Sequence, residues 1–258
     1  MSDVGLLARQ VRYTNKTFWR NPASAFFTFV FPLLFLVIFT SLLGGGETPI
    51  GQQTFNNATY YVVAMATFGV ISACYTNIAI SIVFAREEGV LKRVRGTPLP
   101  GRVYLIARVA HATLVGLLLV AITAAFGMVV YDAEIPTGAD LGLFVITLLV
   151  GAGCFSAIGL AVSGLVPNAD AGPPIVNAVM LPLLFLSGVF IPIGNDAPSW
   201  VRTIGEIFPV RHFFDATRDS WLGTADFQWS DVVVMAVWMV AAIVVASRTF
   251  KWETRHRA

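Results

Sequence analysis

The sequence predicts an all-α polytopic membrane protein, on three observations. First, 56% of the 258 residues are hydrophobic and only 12% are charged, with a mean hydropathy of +0.73. Soluble domains carry roughly 25% charged residues. Second, six apolar runs recur along the chain: Ser24–Leu43, Tyr60–Phe84, Val103–Tyr131, Leu141–Leu165, Pro174–Pro192 and Asp231–Ser247. Each is near or above the ~17–20 residues with which a helix crosses a hydrocarbon core. Third, Arg108 and Asp231 are the only charges inside these runs, and both lie near an end. Too little polar sequence remains to cover six such helices in water, so residues 1–258 are expected to form a single membrane domain.

The elements follow in order. Residues 3–20 read as an amphipathic helix lying in the membrane interface. At 100° per residue Val4, Leu7, Val11 and Phe18 fall on one side, while Arg9, Arg12, Lys16 and Arg20 fall on the other. Asn21-Pro22 ends that helix and turns the chain into the first span. The opening residues hold no continuous apolar stretch of roughly 7–15 residues, so the first span is expected to act as the insertion signal. Cys74 and Cys154 both fall inside spans, where packing is the expected role.

Charge sets the orientation. Of the 17 Lys and Arg residues, 13 lie in the N-terminal segment, in the loop after the second span and in the C-terminal tail. The loops 44–59 and 132–140 contain none, but carry Glu47, Asp132, Glu134 and Asp140. Positive charge marks the cytoplasmic side, so six spans with both termini cytoplasmic are expected, in the plasma membrane. Arg202, Arg211 and Arg218 then fall outside, against the rule.

Residues 86–96 need more than a topology signal to explain them. Arg86, Lys92, Arg93 and Arg95 supply positive charge, yet Val90, Leu91 and Val94 form an apolar stripe, and Glu87 and Glu88 precede it. Gly96 can end a short helix, and Thr97 with Pro98 can start the next segment. A short cytoplasmic helix held between Gly and Pro hinges is expected.

Here the chain resembles the ABC-2 family, the permeases of type-two ABC exporters. The resemblance rests on "REEGVLKRVRGTPLP", with Glu88-Gly89, the helix Val90–Arg95 and Thr97-Pro98. It rests also on Arg20-Asn21-Pro22 with Pro32 in the first span, and on Ser187-Gly188, Pro192, Pro198-Ser199-Trp200 and Pro209 before the last. It covers essentially the whole chain and is nearest in style to drug- and lipid-exporting members of the daunorubicin-resistance type. A polysaccharide exporter fits less well.

The resemblance implies that residues 86–96 hold a coupling helix docking on a separate ATPase subunit. Val90, Leu91 and Val94 would fill a groove in that partner, and Glu87, Glu88, Arg93 and Arg95 would set the register. The chain has no GxxxxGK[ST] phosphate-binding loop, so ATP and magnesium are expected on the ATPase and no cofactor on this chain. Two ATPase copies, a second permease copy or a paralogue, and the lipid bilayer are the expected partners; nucleic acid is not. Residues 194–229 are too polar and interrupted to span. They are expected to form two short helices dipping into the outer leaflet, the first presenting Trp200, Val201, Ile204, Ile207 and Phe208; an interfacial loop anchored by Trp and Phe is the alternative.

Polar residues inside spans are the candidates for a transport pathway: Thr67, Tyr75, Asn77 and Ser81 in the second span, Asn177 and Ser187 in the fifth. Most such groups bond neighbouring helices. Gly159 and Ser163, four apart, favour close packing in the fourth span. His111 has no acidic partner nearby in sequence and reads as structural.

Two other classes fit the sequence less well. A channel or carrier working without ATP is disfavoured because no carboxylate lies mid-span. A prenyl-peptidase-type intramembrane protease needs Glu-Glu-x-x-x-Arg, but Lys92 occupies the Arg position after Glu87-Glu88, and only His111 lies in a span.

Overall fold

A computed structural model describes residues 3–43, 45–50, 53–193, 198–223 and 227–252. Parts of the expected outer segment (194–197 and 224–226) and the tail residues Arg255 and Arg257 lie outside the described residues. The described chain is overwhelmingly helical. Five helices are long and apolar enough to cross a membrane, counting the second span as one continuous element.

Helix α1 (Asp3–Trp19) and helix α2 (Pro22–Leu43) meet at Asn21, whose side chain accepts from the Ser24 amide. The apolar face of α1 was expected to lie in lipid. Its end packs on protein instead: Phe18 is buried against Phe29 and His111, with Ala25, Ala73 and Val115 in the same cluster. Val4, at the other end, is exposed.

Between α2 and the next span, β1 (Glu47–Ile50) pairs antiparallel with β2 (Gln53–Asn56). The ribbon is a small addition to an otherwise all-helical fold, which is the class expected. A connection between two spans must still satisfy its backbone N–H and C=O groups, and a two-stranded ribbon does so internally.

The second span consists of α3 (Asn57–Ile71), a π-turn at Ser72–Thr76 and α4 (Asn77–Glu87). It is the centre of the molecule: from Ala58 to Thr67 every side chain is buried. Helix α5 (Val90–Arg95) follows, then α6 (Gly101–Tyr131) and α7 (Gly138–Leu165). Small residues let these helices close on the second span. A Cβ on Gly127 would come within 2.3 Å of Val62, and one on Gly159 within 2.7 Å of the Tyr75 carbonyl in the π-turn. The close packing expected at Gly159 is therefore found, and its partner is the irregular turn, where the backbone departs from the α-helical ladder.

The fifth predicted span, Pro174–Pro192, is not a continuous helix. Helix α8 (Gly172–Phe185) has only 14 residues, a rise of about 21 Å. The chain then turns at Leu186–Gly188, where Gly188 takes a left-handed φ of 86°. Tyr60 Oη donates to the Gly188 carbonyl at 2.5 Å, so α3 holds this break in place. Helices α9 (Ser199–Ile207) and α10 (Pro209–Leu222) precede the last span, α11 (Trp229–Thr249).

Candidate functional site at the α4–α6 connection

The polar excursion between the second and third spans is built by three backbone devices. Helix α4 ends at Glu87, and Gly89 adopts φ 68°, a left-handed conformation that reverses direction without the steric cost a Cβ would bring. The reversal divides the expected helix at residues 86–96: Arg86 and Glu87 belong to α4, and only Val90–Arg95 form α5. After Gly96, the Thr97 hydroxyl donates to the Val94 carbonyl at 2.7 Å. Pro100, in extended conformation, then starts α6.

The side chains divide by face. Glu87, Glu88, Lys92, Arg93, Arg95, Thr97 and Pro98 are exposed. Val90 and Val94 are half-buried and pack against the core. Leu91 is 0% exposed and belongs to the main core. This corrects the expectation that Leu91 fills a groove in a partner: with Leu91 turned inward, α5 is pinned to its own domain, and the outward surface is polar and charged. Sequence periodicity identifies an apolar stripe but not which body it packs on.

Arg86 does more than the sequence indicates: it counts among the positive charges of this connection, yet it is buried, 4% exposed. Its guanidinium donates to the carbonyls of Ser163 at 3.1 Å and Val166 at 2.5 Å. These lie at the C-terminus of α7, where the last carbonyls lack intrahelical partners and the helix dipole favours a cation. Arg86 thus ties the end of α4, from which α5 follows, to the end of α7.

The expected pathway residues do not converge on one cavity. Thr67 is buried and bonds back to the Val63 carbonyl. Tyr75 donates to the Val176 carbonyl at 3.0 Å, linking the π-turn to α8. Ser187 is buried and bonds Leu184 within its own turn. Asn77 and Ser81 line a cavity of about 470 Å³ that also borders α1, α5 and α6. Asn177 is exposed on α8.

At the other end of the molecule, the two short helices expected before the last span are present, and they differ from each other. Helix α9 keeps Trp200 and Ile207 exposed. Helix α10 is inserted into the domain: Phe213 is fully buried, and its ring lies where a Cβ on Gly151 would come within 2.2 Å. Helix α10 also carries an ion network. Arg218 pairs with Asp215 at 2.8 Å and Asp219 at 2.9 Å, Arg211 approaches Asp215 at 3.4 Å, and His212 Nδ1 lies 2.7 Å from Asp231 of α11. His212 Nε2 faces the Glu206 carbonyl at 2.8 Å. Both ring nitrogens therefore meet acceptors, which a doubly protonated imidazolium satisfies. The hydrogen bond to Asp231 accordingly raises the His212 pKa. Burial pushes Asp219 up to about 6, against the opposing pull of Arg218.

Residues 6–222 match the family described as ABC-2 type transporter. The chain is 23% identical over 245 residues to the putative transport permease YvfS of Bacillus subtilis, covering 94% of this chain and 96% of that one. It is 25% identical over 225 residues to the daunorubicin resistance ABC transporter permease protein DrrB1 of Streptomyces coeruleorubidus, covering 85% and 76%. It is 28% identical over 169 residues to the probable multidrug ABC transporter permease YbhR of Escherichia coli K12, covering 66% of this chain and 44% of that protein.

Proposed function

We propose that this chain, which belongs to the ABC-2 type transporter family, is the permease subunit of an ATP-driven exporter. Its cargo is a hydrophobic or amphiphilic molecule (a drug, lipid or glycolipid) moved out of the cytoplasm or the inner leaflet. The observation that carries this reading is the construction of α5. A helix with an exposed charged face, locked to its own core by Leu91 and backed by the Arg86 tie to α7, moves as one body with the spans. A push on it reaches α4 and α7 directly. In this reading α5 is the coupling helix, Glu87, Glu88, Arg93 and Arg95 contact the ATPase, and ATP and magnesium bind there.

The topology follows the charge distribution, with α1, α5 and both termini on the cytoplasmic side of the plasma membrane. Helix α8 spans only part of the ~30 Å hydrocarbon core, and the non-helical residues 186–193 complete a sixth crossing beside α3. Helices α9 and α10 then cap the outer end. A second permease copy or a paralogue faces α8. There Asn177 is exposed beside Ile175, Val179 and Leu181, and an amide facing lipid is costly without a partner. The names of DrrB1 and YbhR favour a drug-like cargo.

The test is co-purification of the chain with its ATPase subunit, combined with cargo-stimulated ATP hydrolysis. The double variant Glu88→Lys/Arg93→Glu reverses charge at two exposed positions, so membrane levels should hold while ATPase capture and stimulated hydrolysis fall at least tenfold. Unchanged capture and transport would reduce the α5 region to a topology anchor.

A further inference from the structure

The 470 Å³ cavity between α1, α4, α5 and α6 has in its wall a cation without a counter-ion and a buried ring nitrogen without a partner. The first is Arg108. Both hydrogen bonds of its guanidinium, from Nε at 3.2 Å and Nη2 at 2.8 Å, go to one acceptor, the Tyr104 hydroxyl. An arginine has five N–H donors, and among the described residues no carboxylate lies within ion-pair distance of this one. The second is His111, only 4% exposed, whose Nδ1 has no hydrogen-bond partner. A buried ring nitrogen left unbonded, beside a cation without a counter-ion at membrane depth, is an unfavourable pair to maintain empty. Arg108 lies seven residues into α6, roughly 10 Å along its axis, a short distance inside the membrane face that α1 follows.

We infer that this cavity binds the phosphate headgroup of an anionic amphiphile from the inner leaflet. Arg108 pairs with the phosphate oxygens, and His111, with its proton on Nδ1, donates a second hydrogen bond. Phe84, exposed and lining the same cavity, offers an apolar wall to the acyl portion. Tyr13 lines both this cavity and a neighbouring surface groove formed by Arg9, Arg12 and Lys16. That basic groove draws anionic headgroups toward the site. The lining carboxylate, Glu88, is exposed, where water and salt screen its repulsion. An occupied cavity would couple α1, α5 and α6 through one ligand.

This inference takes from the proposed function only the membrane face on which α1 lies. Its test needs neither ATPase nor transport, so either reading can fail alone. The purified full chain in detergent is titrated with phosphatidylglycerol, phosphatidylcholine, glycerol 1-phosphate and inorganic phosphate. Retained lipid is counted by native mass spectrometry, and the unfolding midpoint is followed. Phosphatidylglycerol should be retained and raise the midpoint, with phosphatidylcholine at least tenfold weaker. Arg108→Gln should lose that preference. Thr17→Phe, at an exposed position of α1 bordering the cavity, should block the site sterically without disturbing the fold. Arg9→Gln/Arg12→Gln should keep at least half the affinity, which separates the cavity from general surface charge. Equal retention of the two lipids, or wild-type retention by both Arg108→Gln and Thr17→Phe, would overturn the proposal. Glycerol 1-phosphate binding as tightly as phosphatidylglycerol would overturn the assignment to lipid in favour of a soluble phosphate.

Discussion

Around α5, Lys92, Arg93 and Arg95 lie exposed on a six-residue helix. Around α10, Arg211 and Arg218 are half-buried and held by Asp215 and Asp219. The residue types are the same and the physics differs. Exposed cations can report orientation and meet a partner, because their charged groups stand in water rather than inside a carboxylate network. Cations inside a carboxylate network are largely neutralised, so they carry little topological weight but tie their helix to the fold. Counted as charges alone, Arg211 and Arg218 contradict the orientation; placed beside their carboxylates they no longer do.

The comparison can be broken most forcefully at Arg218. Arg218→Ala leaves Asp215 half-buried and Asp219 buried without their shared cation; breaking a fully buried pair costs about 3–5 kcal/mol, and partial exposure here brings the expected loss toward the lower end of that range. Thermal unfolding in detergent should show a large loss, whereas Arg93→Ala should stay within about 0.5 kcal/mol of wild type. Equal effects would erase the distinction between the two regions.

Next in size is Leu91→Ala. Truncating a fully buried leucine costs about 2–5 kcal/mol, so the variant should unfold earlier even without any ATPase present. Wild-type stability combined with lost ATPase binding would restore the reading in which Leu91 faces the partner.

The pH dependence is smaller and belongs to α10 alone. Asp219 holds its proton up to about pH 6 in the folded chain, against 3.8 ordinarily. Stability therefore falls as pH rises across that interval. His212 is raised from 6.5 by Asp231, so its contribution is complete below that value and is lost as pH rises through the elevated one. The unfolding midpoint should decline from pH 5 to pH 8, and less steeply in His212→Gln. A decline of equal slope in that variant would remove His212 from the account.

The smallest effect is expected at Arg102. Its 2.9 Å pair with Asp3 is exposed on both sides, at 74% and 57%, and such pairs contribute about 0–1 kcal/mol. Arg102→Ala should be nearly silent in unfolding, and a loss comparable to that of Arg218→Ala would contradict the distinction drawn here.

The sequence by itself determined what the bilayer as a solvent dictates. Five long apolar runs became helices whose bounds lie within a few residues of those expected, as Ser24–Leu43 became Pro22–Leu43 and Val103–Tyr131 became Gly101–Tyr131. The short α5 helix and the two short helices before the last span were also legible, because Gly, Pro and charge interrupt an otherwise apolar pattern; the Gly89 reversal that separates α5 from α4 was not. Only the tertiary structure decided direction and partnership. The break at Leu186–Gly188 was hidden because Ser and Gly hardly change the hydropathy of their run; the Tyr60 hydroxyl on the Gly188 carbonyl fixes it. The inward turn of Leu91, the Arg86 tie to α7 and the carboxylates around Arg218 are contacts between residues far apart in the chain or on successive helical turns, and a linear pattern gives the character of a side chain but not what it meets. The same holds for Arg108 and His111, whose sharing of one cavity depends on how α1 and α4 pack against α6.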